Sequence, residues 1–196
     1  ANVKSGQKLG AVTVGELGKL SSDGALTIAG QSNVNGTLVV TGDLLVSDDL
    51  TVNGSVNVQK LNIQTGASVK VDSNGSLTTS STVANGSLAV SGTYKPSGAT
   101  DIKGSFTFNG SSIGYIVNVN GDMDITSDVA LDRQGELNIN RGGSLTVDGK
   151  LDESKGNLTV SAGATATING TLVVKDSHEA DAGTIRFEKG SQYSEG

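Results

Sequence analysis

The 196-residue chain carries a net charge of −6, with 28 Gly, one Pro, no Cys and no Trp. It has no cluster of Lys and Arg to release counterions from a nucleic acid and no apolar run near the ~20 residues that span a bilayer, so neither nucleic acid nor membrane insertion fits. Without thiols there are no disulfides, thiolate metal sites or cysteine catalysis, and with apolar residues at 35% and aromatic residues at 3%, any core must be built from many small aliphatic side chains.

The chain begins at Ala1 rather than Met. Either an arbitrary boundary of the sequence or removal of a signal peptide after a small residue accounts for that; the second is favoured and predicts a secreted, extracellular or cell-surface protein. The first segment, 1–20, contains Leu9, Ala11, Val12 and Val14, which read as a strand serving as a cap or an assembly edge. The best helical window, Val14–Leu20, is interrupted by Gly15 and Gly18, so almost no helix is predicted.

From Leu26 onward a short unit recurs: two apolar residues flank one residue, and Gly, Asn, Asp or Ser follow. Leu38/Val40, Leu44/Val46, Leu50/Val52 and Val56/Val58 repeat at a spacing of six. Later pairs include Val69/Val71, Leu88/Val90, Phe106/Phe108, Met123/Ile125, Leu137/Ile139, Leu145/Val147 and Leu172/Val174, mostly six to eight residues apart. Three longer excursions, Tyr94–Asp101, Asn109–Tyr115 and Lys175–Gly183, are predicted loops, with Pro96 inside the first. The closing segment, 175–196, ends in a strand containing Thr184, Ile185 and Phe187.

Strands of about three residues are too short for a stable hairpin meander. They gain partners if the chain coils so that each strand lies above its equivalent one turn earlier, stacking the inward residues into a continuous aliphatic column. The predicted fold is an all-β parallel β-helix in a single domain, 1–196, with regular coils over 21–174. Three strands per coil give roughly 18–24 residues a coil and about eight coils. The drift between six and eight residues favours a right-handed coil over a strict left-handed hexapeptide helix. A β-sandwich requires longer strands spaced more widely. The recurrent Asn-Gly dipeptides suit corners, where both residues tolerate positive φ.

Segments such as GELNINRGGSLTVDGKL (135–151) and GNLTVSAGATATINGTLVV (156–174) resemble the repeats of autotransporter and adhesin passenger domains. The stretch GTLVVTGDLLVSDDLTVNGSVNV (36–58) is similar to the core of bactofilins. The first resemblance implies an extracellular rod, and the second a polymer built end to end. The chain has no room for an autotransporter's translocating barrel, and it lacks the proline-rich tail common in bactofilins.

Little in the sequence points to catalysis. His178 is the single histidine, set in a charged stretch, and a triad would need a pocket around it. Carboxylate pairs occur at Asp48/Asp49, Asp122/Asp124, Asp128/Asp132 and Asp152/Glu153, without the aromatic platforms that sugar rings stack on. No enzyme activity, catalytic residue or cofactor is expected. For calcium, a hard cation taking oxygen ligands, the weak candidates are Asp122, Asp124 and Asp128 together with Asp176, Glu179 and Asp181; neither group follows an EF-hand pattern. Sequons for N-glycosylation lie at Asn35, Asn53, Asn74, Asn85, Asn109, Asn157 and Asn169, although the same residues serve as plain turn chemistry.

Strand-like units reach nearly to both termini and no terminal amphipathic helix covers them. The predicted function is therefore an extracellular structural protein that self-assembles head to tail into a surface filament, through Leu9, Ala11, Val12 and Val14 at one end and Thr184, Ile185 and Phe187 at the other. One alternative is a monomeric adhesin whose loops, with Tyr94 and Tyr115, bind surface glycans or other cells. Another is a bactofilin-like cytoskeletal polymer.

Overall fold

The computed structural model describes residues 1–174 and 183–195. The protein is an all-β parallel solenoid, and no helix occurs among the described residues. About ten coils are present, against the eight predicted. Contacts divide the chain into two compact units, Ala1–Ala99 and Thr100–Gly196.

In the first unit each coil lays down three short strands, and inward residues of successive coils stand in register. The first face stacks Leu20, Leu38, Val56, Leu77 and Tyr94. The second stacks Leu9, Ile28, Val46, Ile63 and Ala84. The third stacks Val14, Val34, Val52, Val71 and Val90. The first two faces often share one bent strand, as in Thr37–Val46 and Ser55–Ile63, with a bulge between Val40 and Asp43 that turns the corner. The inward members are almost all fully buried; each contributes roughly 1.5–3 kcal/mol of apolar burial.

The second unit repeats the scheme with larger side chains. One face stacks Ile102, Val119, Ile139 and Val160. A second stacks Phe108, Ile125, Val147, Ile168 and Phe187, and a third stacks Val129, Leu151, Leu172 and Tyr193. Phe106 and Phe108 meet edge to face, with ring centroids 5.6 Å apart.

Two predicted loops are corrected by this register. Residues Tyr94–Asp101 overlap the strands Thr93–Pro96 and Thr100–Ile102, and Asn109–Tyr115 contains Ser112–Ile113. Their inward positions hold Thr, Tyr or a single Ile instead of an aliphatic pair, so the two-residue pattern passes over them and the coil count falls short. Pro96 is likewise a strand residue, opposite Thr79. The next N–H, from Ser97, bonds Thr79 O at 2.8 Å; the Pro96 nitrogen therefore faces away from that strand, where its missing proton costs no bond there.

The Asn-Gly corners form for a different reason from the one predicted. Among the described residues the glycines with positive φ are Gly6, Gly66, Gly142, Gly163 and Gly190, and none follows an asparagine. At Gly54 a Cβ would overlap the carbonyl oxygens of Gly36 and Asn35 in the coil before, and at Gly170 that of Gly149. These corners need glycine because consecutive coils touch backbone to backbone there.

Candidate assembly interface

The two terminal coils hold the predicted assembly residues. The opening strands Asn2–Val3, Gln7–Leu9 and Thr13–Val14 each pair on one side only, with Lys19–Ser22, Leu26–Ile28 and Ser32–Val34. Their outer edges meet no strand among the described residues. Val12 and Val14 are inward and largely buried, Leu9 is half-buried and Ala11 is exposed. Together with Leu20 they line a cleft of about 390 Å³. Ser32 fixes the cleft wall: its Oγ accepts the Val12 N–H at 2.8 Å and donates to Gly30 O at 2.7 Å.

In the second unit, Thr184–Phe187 pairs only with Thr165–Ile168, and Gln192–Glu195 only with Thr171–Val174, among the described residues. Thr184 is exposed and Ile185 half-buried. Phe187 and Tyr193 end two inward columns yet remain 43% and 54% exposed, their rings edge to face at 6.1 Å. Arg186 and Glu188 form an outer ion pair at 2.8 Å. Tyr193 falls outside the repeating pattern of the sequence: it follows the last aliphatic pair and stands as a lone apolar residue between Gln192 and Ser194.

The calcium candidates separate along the chain. Asp122 and Asp124 are exposed on either side of inward Met123. Asp122 Oδ1 accepts the Ser144 hydroxyl at 2.6 Å, and Asp128 Oδ1 the Lys150 N–H at 2.9 Å, each bond reaching the adjacent coil. No group of three His, Cys, Asp or Glu that could hold a metal ion occurs among the described residues. Asp176, Glu179 and Asp181, with His178, lie outside the described residues.

The carboxylates of Asp152 and Glu153 diverge. Asp152 sits on the outer surface beside Lys150 at 2.9 Å, whereas Glu153 is buried and its Oε2 accepts the Leu158 N–H at 3.1 Å. The Ser154 hydroxyl first, then the Lys150 ammonium, hold the Asp152 carboxyl down at about 2 against the opposing effect of burial.

Among the sequons, Asn35, Asn74, Asn85, Asn109, Asn157 and Asn169 are exposed and Asn53 is half-buried. Three of the carboxamides bind coil to coil: Asn53 Nδ2 donates to Asn35 Oδ1 at 2.8 Å, and Asn169 Nδ2 to Asp148 Oδ1 at 2.7 Å. Of the candidate sugar platforms, Tyr94 turns away from solvent at 8% exposed, and Tyr115 is half-buried with its hydroxyl oxygen enclosed.

No family model matches the sequence, and no curated protein or solved structure matches it either. The architecture itself is that of a β-helical repeat protein.

Proposed function

We propose that the chain is a structural protein of the cell exterior that associates head to tail into a filament. The observation carrying this reading is the state of the terminal coils: parallel strands at both ends have one free edge among the described residues. A free edge of N–H and C=O groups recruits further strands. The two ends differ in shape, one an apolar cleft and the other an exposed aromatic pair, so their contact is heterologous and gives open filaments rather than closed pairs.

Charge is compatible with the same pairing. Residues 1–20 carry Lys4, Lys8 and Lys19 against Glu16 alone, in a chain of net charge −6. The closing strands and the turn between them carry Arg186 and Lys189 against Glu188 and Glu195, so the two ends meet without like-charge repulsion. The display of binding loops by a monomer loses support from the inward turn of Tyr94.

Static light scattering across a wide concentration range tests the reading. A mass that climbs with concentration is the expected result; a constant monomer mass overturns it. Recovery of the native protein in the cytosolic fraction, and not at the surface, overturns the location.

A further inference from the structure

The aromatic pair breaks a rule that the rest of its columns obey. Ile168 and Leu172, the residues beneath Phe187 and Tyr193, are 0% and 1% exposed. The columns end in two rings, larger than those aliphatic side chains and left about half in water, whereas the opening coil ends in a hollow. That hollow is walled by Val12, Val14 and Leu20, each the first or nearly the first member of its own column. Its volume of about 390 Å³ falls in the range, roughly 300–1,000 Å³, that admits ring-sized groups.

We infer that Phe187 and Tyr193 form a plug that seats in the Val12–Val14–Leu20 cleft of a second copy, an inference that rests on the head-to-tail reading above. The inward columns of one copy then continue into those of the next. The strand edges beside the plug, Thr184–Phe187 and Gln192–Glu195, come to lie against the edges beside the cleft, Thr13–Val14 and Asn2–Val3. Buried aromatic anchors dominate contacts of this kind.

Two variants, each defective at one end, test the seating. Ala11→Trp fills the cleft from an exposed position and leaves the plug intact. Phe187→Ser with Tyr193→Ser removes the plug and leaves the cleft intact. Each alone is expected to weaken association by about tenfold or more and to sediment as a monomer where the wild type polymerises. Mixed one to one, they are expected to form dimers and nothing larger, because one cleft and one plug remain between them. Dimer formation also shows that both variants are folded. Should the double variant unfold, Tyr193→Ser alone, at the more exposed ring, takes its place.

If the wild type polymerises and either variant does so equally well, or if the mixture stays monomeric, the plug is overturned while head-to-tail assembly stands. A wild type that never associates overturns the assembly reading and the plug with it. Protection of the cleft by an unrelated apolar ligand, with the mixture still monomeric, likewise counts against a second copy as occupant.

Discussion

Tyr94 donates its hydroxyl proton to Thr82 Oγ1 at 2.7 Å inside the first unit, and Thr82 Oγ1 lies 3.1 Å from Thr79 Oγ1. All three side chains occupy inward positions where other coils place aliphatic residues. Hydrogen bonding offsets the cost of burying these polar atoms. Tyr94→Phe removes the donor but leaves Thr82 its neighbour Thr79, so a loss of about 1 kcal/mol is expected. Urea titration checks the value, and an unchanged midpoint would show that the bond contributes nothing net.

The two kinds of glycine predict different costs. Gly54→Ala drives a Cβ into the carbonyl oxygens of Gly36 and Asn35 and forces two coils apart, for a loss of about 2 kcal/mol or more. Gly66→Ala meets open space and costs about 1–2 kcal/mol through its φ of 83° alone. Both positions lie in the first unit, so parallel denaturant titrations compare them directly. Equal losses would refute the close-approach account.

Asp152 ties stability to acid. Its folded carboxyl titrates near 2, below the ordinary 3.8, chiefly because the Ser154 hydroxyl donates to it and the Lys150 ammonium sits at 2.9 Å. A depressed folded value means the contribution is fully present above pH 4 and is lost as pH falls from about 4 to about 2. After solvent screening it is of the order of 1 kcal/mol. Stability of Asp152→Asn followed over that window should fall less steeply than that of the wild type; parallel curves would exclude the carboxylate as the cause.

Phe106 is fully enclosed and packs edge to face on Phe108. Phe106→Ala is expected to cost about 3–5 kcal/mol. Phe187→Ala, with its ring 43% exposed, should cost less than half of that in dilute protein. Calorimetry of the two variants below the concentration of assembly makes the comparison.

Much of the fold was legible because a solenoid writes its period into the sequence. Leu38/Val40, Leu44/Val46 and Leu50/Val52 recur at intervals of six, and three such steps equal the 18 residues between Asn35 and its partner Asn53 one coil away. What the pattern could not see was an inward position filled by a polar residue. Thr79, Thr82 and Thr100 are buried, yet nothing local distinguishes them from surface threonines until the column above and below is known. The terminal coils were legible as strands, from Val12/Val14 and Ile185/Phe187. Their unequal shapes were not, because the cleft is lined by residues as far apart in sequence as Leu9 and Leu20, which become neighbours only once the coil has formed.

Each ladder in the two units joins residues close in sequence: 17 separate Asn118 from Asp101, 21 separate Asn169 from Asp148, and 22 separate Ser144 from Asp122. Closing a loop of that length costs about 3 kcal/mol, and the cost barely changes from one turn to the next. A polypeptide emerging end first from a ribosome therefore needs only some twenty more residues before it can add a rung to those already formed. Growth of the fold can thus follow synthesis, because among the described residues no strand waits on a distant part of the chain.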